Sequence, residues 1–283
     1  MVRVKICGLR EPEHARAVAC LGADLLGVVF APSPRRVSLK RGEEIADAVR
    51  EGFAGAGGRR INGASMPSDS GTGVPPVRTG QRPLPTGTRC SQSGIDAPGF
   101  SLGLGSLPQA EAWGIGLQDR LGRPLLVGVF VNQPVEEVRR IAVACGLDYV
   151  QLHGDESPDY CRSLGLPFIK AFRVAAKDGE EDIARRMEAY LAVYPEAIFL
   201  LDAHVEGIYG GTGRSWDWGR AARLALRHPV LAAGGLTPEN VAGAVQAIYP
   251  WGVDVSSGVE TDGMKDVAKI KAFIEAVRNA GGS

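Results

Sequence analysis

Short apolar runs with strand character alternate with helical patterns eight times along this chain, and that alternation restricts its fold more than any other feature. The runs cover residues 2–7, 24–30, 124–131, 147–152, 167–172, 197–202, 229–233 and 252–256. Helical patterns fall near 12–21, 40–50, 135–145, 158–164, 180–193, 218–226, 238–248 and 267–277. In the first run Val2, Val4 and Ile6 alternate with Arg3 and Lys5, the period of a strand with one buried face. Leu125 to Val131 is apolar at every position, as in a parallel strand covered by helices on both sides. Eight strand–helix units in strict order point to a (β/α)8 TIM barrel as one domain over 1–283, with an open eight-stranded sheet as the alternative.

Residues 53–123, between helix two and strand three, break this rhythm. Gly, Pro, Ser and Thr dominate, and Gly73-Val74-Pro75-Pro76-Val77-Arg78-Thr79-Gly80 is loosely repeated in Gln81-Arg82-Pro83-Leu84-Pro85-Thr86-Gly87. Such a low-complexity insertion buries too little apolar surface to offset its ordering entropy, so disorder is expected over most of it. A marginal helix is expected within 107–121. An αβ connection lies on the N-terminal face of a barrel, away from the catalytic mouth, so the insertion should leave the chemistry alone. It reads as a tolerated surface insertion, with a partner-binding arm as the alternative.

Lys plus Arg and Asp plus Glu balance at 32 each, which gives no long-range field for nucleic acid or an anionic membrane surface. No apolar run is long enough to span a bilayer and no leader is evident, so a cytoplasmic protein is expected. Five scattered cysteines lack CxxC or Cys/His ligand spacing, which speaks against a disulfide framework and structural zinc. No metal site and no cofactor are expected.

In a barrel the chemistry gathers where strands hand over to βα loops. Those positions hold Cys7, Ser33-Pro34-Arg35-Arg36, His153, Asp202, Gly234-Gly235 and Ser256-Ser257-Gly258. Gly234-Gly235-Leu236-Thr237 allows close backbone approach and then starts a helix, with Thr237 as N-cap and Pro238 at the first helical position. Asp254-Val255-Ser256-Ser257-Gly258 adds hydroxyls and backbone donors. Loops after strands seven and eight are the usual phosphate site of this fold, so a phosphorylated small-molecule ligand is expected at Gly234, Gly235, Asp254, Ser256, Ser257 and Gly258.

Read together, several motifs carry a family resemblance: Lys5-Ile6-Cys7-Gly8, Ser33-Pro34-Arg35, Val127 to Asn132, Gln151-Leu152-His153-Gly154, Leu201-Asp202, Gly210-Gly211-Thr212-Gly213, Ala233-Gly234-Gly235-Leu236 and Asp254 to Glu260. The chain is similar in every barrel unit, the insertion apart, to the phosphoribosylanthranilate isomerases of tryptophan biosynthesis. The resemblance implies a cofactor-independent Amadori rearrangement of N-(5-phosphoribosyl)anthranilate. A general acid opens the furanose ring to an iminium, and a general base takes the C2 proton. By the same resemblance Cys7 matches the base and Asp202 the acid.

A free thiol has a pKa of about 8.5 and a free Asp about 3.9, so both assignments require tuning by the surroundings. Arg35 suits the anthranilate carboxylate, with Arg36 as a register alternative. His153 is either a substrate contact or a hydrogen-bonded structural residue. The loop around Gly211 resembles a cover over bound substrate, with a plain turn as the alternative. Monomer and homodimer are both open. The rivals are another aminoaldose or sugar-phosphate isomerase, or a non-catalytic barrel scaffold.

Overall fold

The computed structural model describes residues 1–53, 122–174, 178–202 and 218–281. Its eight long strands are β1 (Arg3–Cys7), β2 (Leu25–Val29), β3 (Leu125–Phe130), β4 (Tyr149–Leu152), β5 (Phe168–Arg173), β6 (Ile198–Asp202), β7 (Val230–Ala233) and β8 (Gly252–Val255). Each pairs in parallel with the next, and β8 returns to pair with β1, so the sheet closes into a barrel. The open-sheet alternative is thereby excluded. The helices are α1 (Pro12–Cys20), α2 (Leu39–Phe53), α3 (Val135–Cys145), α4 (Pro158–Leu164), α5 (Glu180–Leu191), α6 (Trp218–Arg227), α7 (Val241–Ile248) and α8 (Val267–Gly281).

Local chemistry explains most boundaries. Pro12 and Pro158 open α1 and α4, where their missing N–H costs nothing. Ser157 caps α4 by accepting from the Tyr160 N–H at 3.2 Å, and Gly146 and Gly165 close α3 and α4 in the left-handed conformation. One boundary differs from expectation. Helix α7 begins at Val241, not at Pro238, and Thr237 is not its N-cap. Asn240 instead accepts from the Thr237 N–H at 2.8 Å and donates to the Gly235 carbonyl at 2.9 Å, holding the preceding loop in a turn.

Apolar side chains fill both sides of the sheet. Leu25, Leu125, Val127, Tyr149, Ile169, Ile198, Leu200 and Leu231 pack inside the barrel. Val4, Ile6, Leu26, Phe130, Leu152, Phe172 and Leu201 belong to the larger layer shared with the helices. The expectation that β1 has a single buried face is therefore corrected. Val4 and Ile6 face the helices, while Lys5, fully buried, and Cys7 occupy the alternate face inside the barrel.

The insertion expected over 53–123 falls almost wholly on residues 54–121, outside the described residues, as does the helix expected within 107–121. Its attachment points are on the N-terminal side of the sheet. Helix α2 stops at Phe53, and the Leu125 N–H bonds to the Asp24 carbonyl at 2.9 Å, just ahead of β2. Among the described cysteines, Cys7, Cys145 and Cys161 are buried free thiols, whereas Cys20 at the exposed end of α1 is disulfide-bonded. No helix among the described residues is long and apolar enough to cross a membrane.

Candidate active site

The C-terminal mouth of the barrel is built around β1. Register pairs Lys5 with Asp254 and Cys7 with Gly27. Lys5 Nζ lies 2.9 Å from Asp254 Oδ1 and shares with the Cys7 thiol the space beside Gly27. Gly27 leaves the room both groups need: a Cβ there would stand 2.9 Å from Cys7 Sγ and 3.2 Å from Lys5 Nζ. Burial alone would lower the Lys5 pKa, yet the charges of Asp254 and Cys7 hold it above its usual value. Burial pushes the Cys7 thiol up, and the neighbouring Lys5 and Lys265 charges offset only part of that.

Beside Cys7, the loops after β1, β2 and β8 are tied together by cations. Arg35 makes a two-pronged contact with Glu260, Nε to Oε1 at 2.8 Å and Nη2 to Oε2 at 2.7 Å. Lys265 donates to Glu260 Oε1 at 2.8 Å and to the Ser256 carbonyl at 2.9 Å. Burial would raise the Glu260 pKa, but these donors outweigh it and bring it down to about 2. Arg10 reaches the Pro34 and Gly263 carbonyls at 3.3 and 2.7 Å. Gly8 has a φ of 81°, and a Cβ there would meet Arg35 Cδ at 2.6 Å, so the Arg35 stem crosses directly over the residue after Cys7. Arg36 points elsewhere, into a groove on the outer surface with Phe30, Val37, Glu137 and Arg140.

Across the mouth, His153 and Asp202 are neighbours. His153 Nε2 lies 3.6 Å from Asp202 Oδ2, and each side chain is 22% exposed. The amide of Gln151, itself buried in the barrel, contacts His153 Nδ1 at 3.1 Å. With the amide N–H as donor, the ring proton resides on Nε2, the nitrogen facing Asp202.

The loop carrying His153 rests on a buried ion pair, Lys170 Nζ to Glu156 Oε2 at 2.9 Å. Lys170 also donates to the Gly154 and Leu152 carbonyls at 2.7 and 3.2 Å. Glu156 accepts from the Asn132 and Gly154 N–H groups at 2.8 and 3.0 Å. With these bonds made, both charges are fully engaged and the loops after β3 and β4 are locked together.

The loops after β7 and β8 meet backbone to backbone. Gly234 and Gly235 have φ of 100° and 64°, and a Cβ on Gly258 would stand 1.8 Å from the Leu236 carbonyl oxygen. Ser257 and Gly258 form part of a short 3-10 turn, Ser257–Val259, and Ser256 Oγ donates to the Cys7 carbonyl at 3.2 Å. A hairpin follows, β9 (Glu260–Thr261) with β10 (Met264–Lys265), turned by Asp262 and Gly263 at φ of 52° and 73°. Those angles suit the Asp-Gly pair of a type I′ turn, a signal present in the sequence that the strand pattern alone does not show.

Cys7, Arg35, His153, Asp202, Gly234, Gly235, Asp254, Ser256, Ser257 and Gly258 thus all lie at one end of the barrel, on the strand ends and the loops that follow them. Gly211 lies outside the described residues. Sequence reading missed Lys5, Gln151, Glu156, Lys170, Glu260 and Lys265. For Lys5, Gln151 and Lys170 the only signal is a charge or amide at strand positions that topology places in the interior, while Glu156 lies in the loop after β4 and Glu260 and Lys265 lie on the hairpin after β8. Among the described residues no group of three or more His, Cys, Asp or Glu could hold a metal ion.

Residues 117–276 match the family model described as N-(5'phosphoribosyl)anthranilate (PRA) isomerase. The chain is 38% identical to the N-(5'-phosphoribosyl)anthranilate isomerase of Dehalococcoides mccartyi, over 100% of this chain and 99% of that protein. It is 43% identical to that of Desulforudis audaxviator, over 99% and 100% respectively. Among solved structures it resembles phosphoribosyl anthranilate isomerase from Thermotoga maritima, with a TM-score of 0.63 and 29% identity over 99% of this chain and 100% of that one. A structure of a phosphoribosyl anthranilate isomerase in complex with reduced 1-(o-carboxyphenylamino)-1-deoxyribulose 5-phosphate is similar at a TM-score of 0.61 and 28% identity, over 99% of this chain and 100% of that one.

Proposed function

Because the chain belongs to the N-(5'-phosphoribosyl)anthranilate isomerase family of tryptophan biosynthesis, we propose that Cys7 and Asp202 are the base and acid of its Amadori rearrangement. Asp202, aided by the adjacent His153 Nε2–H, protonates the furanose ring oxygen, and the C1–O bond breaks to leave a C1=N iminium. Cys7 as thiolate removes the proton from C2. The resulting enolamine gains a proton at C1 and loses one from the C2 hydroxyl to give the ketone. Atoms balance without an external oxidant or reductant, so the chemistry calls for no cofactor. The observation that carries this reading is the placement of two proton-transfer groups, on β1 and β6, at the same barrel mouth as the paired β7 and β8 loops.

Binding follows from the same surroundings. The backbone around Gly234, Gly235 and Gly258, with the Ser256 and Ser257 hydroxyls, holds the phosphate. Arg35, and not the outward-facing Arg36, meets the anthranilate carboxylate, sharing its guanidinium with Glu260. Gly211 belongs to the loop expected to cover the substrate. The protein is expected to act in the cytoplasm, without nucleic acid, as a monomer or homodimer; a Thermotoga maritima relative is described as dimeric.

The test is loss of phosphoribosylanthranilate fluorescence in the intact protein and in Cys7→Ser and Asp202→Asn variants. Turnover by the intact chain with a fall of roughly a hundredfold or more in each variant is the expected result. Full activity in either variant removes that residue from the mechanism.

A further inference from the structure

A thiol whose surroundings keep it protonated is a poor base, so the groups pressed against Cys7 decide whether it can serve. Lys5 is fully buried in the barrel interior, where an ammonium persists only if it is paired. Among the described residues it has Asp254 as its carboxylate partner, its register neighbour on β8 at 2.9 Å. It also has one nucleophilic neighbour, the Cys7 thiol, which it meets over the space left by Gly27. The pair is costly to bury and adds nothing to the packing that an apolar side chain could not supply.

We infer that Lys5 is a positioning residue for Cys7, holding the thiolate through its ammonium, and that Asp254 is the counter-ion of Lys5 and not a ligand of the substrate phosphate. An ionised carboxylate facing a phosphate dianion would repel it, whereas the same carboxylate against Lys5 keeps the ammonium charged between two anions. Asp254 then opposes the thiolate by its own charge, so the two residues act on Cys7 with opposite sign, beside the Lys265 and Arg35 cations that also face it from the loops after β8 and β2. The inference rests on Cys7 being the base.

The test is alkylation of the intact protein by iodoacetamide across pH, with the Cys7 peptide quantified by mass spectrometry. In Lys5→Met the midpoint for Cys7 should move up by about one pH unit or more, the effect of deleting an opposite charge in contact. In Asp254→Asn, which leaves Lys5 in place and guards against a Lys5 variant that fails to fold, it should move down. The ascending limb of kcat/KM should shift in the same two directions, with KM little altered. A Lys5→Met midpoint that stays or falls, or an Asp254→Asn midpoint that rises, overturns the inference. An active Cys7→Ser enzyme overturns the reading of Cys7 as the base instead, and the alkylation shifts do not depend on turnover.

Discussion

Gly258 lies so close to Leu236 that a methyl group on its Cα would stand 1.8 Å from the Leu236 carbonyl oxygen. Backbone is what a side chain would strike, so the clash cannot be relieved by rotating a neighbouring group. The loops after β7 and β8 can approach this closely only because the residue is glycine.

Gly258→Ala should therefore push the two loops apart and spoil the phosphate site without touching Cys7 or Asp202. Steady-state kinetics should show KM for phosphoribosylanthranilate rising roughly ten- to a hundredfold, the scale expected of a displacement of about 1 Å in a binding site. An unchanged KM in a folded variant would remove these loops from substrate binding.

Burial holds the Cys7 thiol above its ordinary value in the free protein. A base works only when deprotonated, so kcat/KM should climb as pH rises, with a midpoint on the alkaline side of an ordinary thiol near 8.5. A profile flat from pH 6 to pH 9 would contradict this.

Glu260, brought down to about 2 between Arg35 and Lys265, links the mouth to acid stability. Its folded pKa lies below the unfolded value, so its contribution is fully present above about pH 4.5 and lost as pH falls towards 2. The shift corresponds to at most about 3 kcal/mol. In urea titrations, Glu260→Gln should destabilise the protein at pH 7 and lose less stability than the parent between pH 5 and 3. Equal acid sensitivity in both proteins would be the wrong result.

Lys170→Met leaves the Glu156 carboxylate buried against the backbone with its cation gone. Removing one partner of a buried pair costs on the order of 3–5 kcal/mol, and restoring neutrality recovers part of it. Chemical denaturation should therefore rank the Lys170→Met, Glu156→Gln double variant above Lys170→Met alone. A double variant no more stable than the single one would show that the ion pair is not what holds the His153 loop.

The sequence by itself determined eight strand–helix units and where their strands fall, while the pairing of β8 with β1 in the tertiary structure decided for a closed barrel over an open sheet. Strand and helix periods are local, and eight of them in order leave few ways to bury every apolar face. Helices α3 and α4 fall where the periodicity predicts them, at Val135–Cys145 and Pro158–Leu164. Cys7, His153 and Asp202 were legible for the same reason, since the last residue of a barrel strand, or the one just after it, reaches the mouth whatever its neighbours are.

The partners of those residues were not legible. Lys5 alternates with Val4 and Ile6 like a solvent-facing residue, and only closure of the sheet turns its side into the barrel interior beside Asp254, far along the chain. Arg35 and Arg36 are adjacent and chemically alike; the tertiary fold alone sends one to Glu260 over Gly8 and the other to the outer groove. A single strand records which residues share a face, but whether that face meets water or another strand's charge is decided only when distant segments close around it.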